Sequence, residues 1–135
     1  MVFAGMNYLA ILVAAVAAFG FGSLYYMSLS RHWLAAIGKT KEELNPSAAP
    51  FVVSIVGLLV MAQVLAGTIA HLGGGQVTLR TGVITGAFMW LGFVATTTAT
   101  NYAFGGRKAS LTVIDCIHWL GVLVVQGAII GAIGI

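Results

Sequence analysis

The chain has 135 residues, of which 60% are hydrophobic and only 7% charged, against about 25% charged in an average soluble domain. So few charges cannot cover a water-soluble surface. Four apolar runs, each long enough to cross ~30 Å of hydrocarbon, identify a multi-pass membrane protein and leave no room among these residues for a soluble catalytic domain. Six Lys and Arg against three acids give a formal net charge of +3, but these cations flank apolar segments, where they set topology and meet lipid headgroups; nucleic-acid binding is not implied. The lone Cys116 supplies neither an internal disulfide nor a thiolate pair for zinc.

The first span is predicted over residues 7–29. No basic residue precedes it and its apolar run continues past Ala15-Val16-Ala17, so it reads as a permanent helix and not as a cleaved signal. Ala14, Ala18 and Gly22 recur every fourth residue and give a smooth face for another helix, while Tyr25 and Tyr26 suit the membrane interface. Residues 31–38 form a short interfacial helix with Trp33, Leu34 and Ile37 on one side, ended by Gly38. Thr40 followed by Glu43 matches a capping box and predicts one further turn over residues 41–44, broken by Asn45-Pro46-Ser47.

The second span, over residues 50–71, opens on Pro50, which is tolerated where no N–H is needed. It carries Ala62, Ala66 and Ala70 at helical spacing and Gln63 near mid-depth. Gly73-Gly74-Gly75-Gln76 is a turn, because the Lys-Ser/Thr and the strand-to-helix setting of a phosphate loop are missing. In the third span, over residues 79–104, Gly82 and Gly86 form a GxxxG that Trp90, Phe93, Thr97 and Asn101 continue at helical spacing. One face is thus small at one end and polar at the other. The threonines at 96–98 and 100 are expected to bond carbonyls of their own helix. In the fourth span, over residues 111–134, Asp115, His118, Val122 and Gln126 fall within roughly 80° of one another. That stripe must face protein, water or a partner.

The first loop carries Arg31, Lys39 and Lys41, the second Arg80 alone, and the third Arg107 and Lys108. The bias places the first and third loops in the cytosol and both termini in the periplasm of a bacterial inner membrane. The fold class is therefore an all-α membrane protein: a single domain of four transmembrane helices in an up-down bundle, with an interfacial helix in the first loop.

Several segments, in this order and spacing, resemble the bacterial domain-of-unknown-function family 1761. They are Asn7-Tyr8-Leu9-Ala10-Ile11-Leu12-Val13-Ala14-Ala15, Gly22-Ser23-Leu24-Tyr25-Tyr26, Ala36-Ile37-Gly38-Lys39-Thr40-Lys41-Glu42-Glu43-Leu44, Trp90-Leu91-Gly92-Phe93 and Asp115 to His118. The resemblance runs over nearly the whole chain and implies a small four-helix membrane protein, with no established activity. The chain departs from it at Tyr26-Met27-Ser28, where members often carry Tyr-Ser-Pro, and so lacks a proline that would kink the helix.

This topology gathers Tyr25, His32, Thr97, Asn101, Asp115 and His118 near the cytoplasmic ends. Asp115 is expected to pair with Arg107 or Lys108 at a helix N-terminus; the alternative role is a proton relay with His118 one turn away. His71 sits a membrane thickness from His32 and His118, which rules out a three-His site in one subunit. Asp115, His118 and His32 are the alternative metal set, and haem between the two histidines is disfavoured by the surface position of His32. No metal or cofactor is expected. Gln63 and Gln126, deep in hydrocarbon, are expected to clamp helices together, within a bundle or between subunits, and Gly127 and Gly131 add a close-contact face. The leading functional reading is a non-enzymatic protein acting through helix association, as a homo-oligomer or as an accessory subunit of a membrane complex. The alternative is a proton-coupled carrier or channel for a small solute, with Asp115 and His118 titrating and Thr97 and Asn101 lining the path; a membrane redox or metal enzyme comes third. A reporter fused to the C-terminus should be active as a periplasmic phosphatase and dark as a cytosolic fluorophore, and the reverse pattern would invert the topology.

Overall fold

The computed structural model describes residues 5–45 and 47–134; Pro46, at the centre of the expected breaker, lies outside them. All regular structure among the described residues is helical: α1 (Tyr8–Ser28), α2 (Ser30–Ile37), a 3-10 turn (Lys41–Glu43), α3 (Ala49–Leu72), α4 (Leu79–Met89), a π-helical segment (Trp90–Ala95), α5 (Thr96–Phe104) and α6 (Ala109–Ile133). Four stretches are long and apolar enough to cross a membrane, namely Tyr8–Ser28, Ala49–Leu72, Leu79–Phe104 and Ala109–Ile133. The chain is a multi-pass helical membrane protein.

Local chemistry explains most boundaries. Asn7 starts α1 by accepting the N–H of Ala10 at 3.1 Å, and Gly38, at φ +73°, ends α2 in a left-handed turn that other residues resist. Pro50 sits in the first turn of α3, where its missing N–H costs nothing. The expected capping box at Thr40 does not form. The Thr40 hydroxyl donates to the Glu43 carboxylate at 3.2 Å, side chain to side chain, and only a single 3-10 turn follows. A reciprocal box appears instead at α4, where Thr78 accepts the Thr81 N–H at 3.1 Å and the Thr81 hydroxyl accepts the Thr78 N–H at 2.9 Å. There a threonine takes the place of the usual Glu or Gln.

The hub of the bundle is α6, which packs against α1, α2, α3, α4 and α5. Its closest approach is to α4, backbone on backbone: a methyl group on Gly82 would overlap the Gly127 carbonyl, one on Gly131 would overlap the Thr78 carbonyl, and one on Gly86 would lie 2.5 Å from the Leu123 oxygen. Ala14, Ala18 and Gly22 of α1 are buried too, as are Ala62 and Ala66 of α3. These small-residue positions are thus turned inward within one chain.

The third span departs from a regular helix. An uninterrupted α-helix would carry the inward face from Gly82 and Gly86 through Phe93 and Thr97 to Asn101. The π-helical segment Trp90–Ala95 adds a residue to the turn, which rotates everything beyond it by about 100°. Val94 packs on the core, and Thr98 and Tyr102 become half-buried, while Phe93, Thr97 and Asn101 are exposed.

Gly82→Ala should force α4 and α6 apart and cost about 1–3 kcal/mol, read from unfolding in detergent. Gly20→Ala, at a helical position with open space around it, should be neutral or stabilise by up to about 1 kcal/mol.

Candidate functional site: a tyrosine-held carboxylate beside an open cavity

Three successive residues of α6 are each fastened to an aromatic side chain from another part of the bundle. The Tyr25 hydroxyl donates to the Ile114 carbonyl at 2.6 Å. The Tyr26 hydroxyl donates to Asp115 Oδ1 at 2.7 Å and that of Tyr102 to Asp115 Oδ2 at 2.6 Å. The Trp90 indole donates to the Cys116 carbonyl at 2.7 Å. Asp115 is 8% exposed, and a carboxylate taken out of water is costly unless its oxygens are bonded. Two phenol donors meet that demand with short O–H···O contacts of the charge-assisted kind. Neither cation expected to do so, Arg107 or Lys108, bonds Asp115 among the described residues; Lys108 Nζ donates instead to the Ala35 carbonyl at 3.1 Å and ties the last turn of α2 to the start of α6.

One turn along α6, His118 is also 8% exposed. Its imidazole lies 4.7 Å from both the Tyr26 and Trp119 rings, 5.7 Å from Tyr25 and 6.2 Å from Phe21, centroid to centroid. Its Nδ1 is buried with no hydrogen-bond partner. Its Nε2 lies over Gly22, where a methyl group would come within 2.8 Å of it, so glycine at that place makes room for the ring. Tyr26 touches both groups, its hydroxyl on Asp115 and its ring on His118. Beyond the helix turn they share, acid and imidazole are thus joined through the Tyr26 side chain.

A cavity of about 580 Å³ opens beside His118, between α1, α2, α3 and α6. Ala18, Phe19 and Leu58 line its deep end, near the middle of their spans; Gly22, Ser23, Tyr26, His118 and Trp119 form its walls; and Ser30, Trp33, Phe51 and Ser54 stand at the end of the bundle where α2 lies. It thus reaches from mid-depth to one face of the bundle. Its lining contains no Asp, Glu, Lys or Arg.

Of the residues singled out from the sequence, Asp115, His118 and Tyr25 come together here, and His32 stands exposed on α2. Thr97 and Asn101 are exposed as well, and the Thr97 hydroxyl donates to the Phe93 and Val94 carbonyls of its own helix. The two glutamines do not meet. Gln126 Nε2 donates to the Leu58 carbonyl at 3.0 Å, joining α6 to α3, with its Oε1 buried and unpartnered; Gln63 Nε2 reaches the Met6 sulfur at 3.1 Å. Among the described residues no three His, Cys, Asp or Glu side chains gather in a metal-binding group. Sequence reasoning missed Tyr102, Tyr26 and Trp90 as partners of α6. The available signal was their chemistry: an apolar ring with one donor is what a buried carboxylate or carbonyl needs in a medium without water.

A family described as "Protein of unknown function (DUF1761)" matches residues 9–131, and the chain belongs to that family. Comparison with curated proteins and with solved structures gives no match.

Tyr102→Phe, which leaves one Asp115 oxygen unpaired, should cost about 1.5–3 kcal/mol in unfolding measured in detergent micelles. Its sequence neighbour Asn101→Ala should stay within about 0.5 kcal/mol of the parent.

Proposed function

We propose that this family member is a non-enzymatic, membrane-embedded binding or carrier protein, and that its ligand is a small molecule taken into the cavity beside His118. The observation that supports this most is the pairing of an accessible cavity of about 580 Å³ with a largely buried wall histidine, His118, whose imidazole forms no hydrogen bond among the described residues. Ligand sites are commonly apolar clefts of this size with a few polar groups that fix orientation. Asp115 serves as an anchor: by holding Tyr26 it sets one wall of the cavity, and by holding Tyr102 it ties the third span to the same point. Both Asp115 oxygens engage tyrosine hydroxyls, which favours binding over proton exchange between Asp115 and His118 as the central event. With the basic loops in the cytosol, the cavity opens into the inner leaflet of a bacterial cytoplasmic membrane.

A second reading, association between copies, is favoured by the third span alone. Only 17% of its apolar window is buried, against 33% in each of the other three, and its exposed side carries Thr97 and Asn101. A carboxamide facing hydrocarbon gains from a partner across a helix interface.

Native mass spectrometry of the protein released from membrane nanodiscs should show a co-purifying small molecule that disappears in Ser54→Phe, which plugs the cavity rim, and persists in Thr97→Ala. An empty parent protein, or a ligand indifferent to Ser54→Phe, would sink the cavity reading. For association, oxidation of membranes carrying Asn101→Cys in a Cys116→Ala background should give a linked dimer, while Val53→Cys on the exposed face of α3 should not.

A further inference from the structure

We infer that the cavity takes a neutral, ring-headed, lipid-soluble molecule of the quinone class, which enters sideways from the adjoining leaflet and sets an oxygen against His118. This rests on the cavity reading above and specifies its ligand.

Charge comes first. No Asp, Glu, Lys or Arg lines the cavity, and the nearest acid, Asp115, has both oxygens engaged by tyrosines. An ionised headgroup would enter a low-dielectric site without a counter-charge, at a cost of several kcal/mol. Fatty-acid carboxylates and phospholipid heads are thereby disfavoured, and a neutral head is selected.

Hydrogen bonding comes second. The Tyr26 hydroxyl is committed to Asp115 and that of Ser23 to the Phe19 carbonyl at 2.9 Å. Among the titratable groups and hydroxyls of the wall, His118 is left without a hydrogen bond. A neutral imidazole carries one N–H and one lone pair. An unpaired buried donor is rarer in proteins than an under-satisfied acceptor, so the proton belongs on the nitrogen that has somewhere to give it. Nδ1 is sealed without a partner, whereas Nε2, which lies over Gly22 where both residues line the cavity, is not sealed in this way. Nε2–H therefore offers a single donor to an incoming carbonyl oxygen.

Shape and access come third. Phe19, Trp33, Phe51 and Trp119 place ring faces and edges around the space, and aromatic pairs gain about 0.5–1.5 kcal/mol beyond burial, an increment a saturated acyl chain does not collect. Met27 and Phe51, on facing sides of the opening between α1 and α3, are 73% and 60% exposed. The mouth is thus apolar and lipid-facing, suited to a ligand already dissolved in the bilayer.

The test uses the full chain in nanodiscs, titrated with a short-tailed benzoquinone and followed by quenching of tryptophan fluorescence, since Trp33 and Trp119 line the site. The expected result is saturable quenching, weakened about tenfold in His118→Leu, as loss of one hydrogen bond of roughly 1.4 kcal/mol implies. Affinity should recover in His118→Gln, which keeps an N–H, and binding should be lost in Ser54→Phe, a rim change that leaves the core untouched. Saturable binding unaffected by His118→Leu would overturn the assignment of the oxygen to His118. If the benzoquinone fails while monoolein, neutral and ring-free, or oleate is retained in a Ser54-dependent manner, the quinone class is overturned and the cavity reading stands. If none of the three is retained, both fall.

Discussion

Hydrocarbon offers no water to an ionised or polar group, and the structure is organised around that fact at Asp115. One carboxylate needs a donor for each oxygen, and the two donors come from different spans: Tyr26 from the end of α1 and Tyr102 from the end of α5. Meeting the need of one side chain thus pulls two helices onto α6 at the same depth. Tyr25 and Trp90 repeat the contact on the flanking carbonyls of Ile114 and Cys116. In water, bonds of this kind add modestly to stability because solvent competes for every partner. Here that competitor is missing, so the cluster also fixes which faces of the helices meet.

The opposite end of α6 solves a different problem by different means. Gly127 and Gly131 meet Gly82 and the start of α4 with backbones in contact, packing by dispersion where apolar burial gives no preference for protein over lipid. Glycine brings α4 tight against one side of α6. Phe19, Phe21, Tyr26, Trp119 and His118 fill part of the other side, and large rings do not close the angle between α1 and α3. The cavity follows from that contrast, lying on the aromatic side of α6 and at the end where the acid cluster lies.

How much of this was legible follows from the same physics. The four spans were written in hydropathy, and the Asp115, His118, Val122 and Gln126 stripe in simple helical periodicity; all four are buried on α6. The Gly82 and Gly86 pair was legible as a close-contact face, but a GxxxG does not name its partner, and here the partner is the chain's own last helix. Thr97 and Asn101 mark where periodicity misled. The expectation assumed one continuous α-helix, and nothing in Trp90-Leu91-Gly92-Phe93 announces a π-helical turn. One additional residue in that turn swapped Asn101 for Tyr102 on the inward face. The change is favourable in hindsight, because a phenol reaches Asp115 with one donor and leaves no further polar atom to satisfy, whereas a carboxamide brings two donors and an acceptor.

The route from α1 into α2 carries the last consequence. At Tyr26-Met27-Ser28 no proline interrupts the chain: Leu29 N–H still reaches the Tyr25 carbonyl at 3.0 Å, and Trp33 N–H reaches that of Leu29 at 2.8 Å. The backbone therefore turns within about one residue, at Leu29, while helical bonding continues on either side. That economy brings Trp33 back over Tyr26, with ring centroids 6.1 Å apart in an edge-to-face arrangement, and Lys108 holds the far end of α2 at the Ala35 carbonyl. The interfacial helix is fixed at both ends, as a roof over the cavity beside His118. Tyr26 belongs to both parts of the structure, with its hydroxyl in the acid cluster and its ring in the cavity wall. Asp115 and the cavity therefore share one aromatic side chain, and the bond that satisfies the acid also sets the place of that wall.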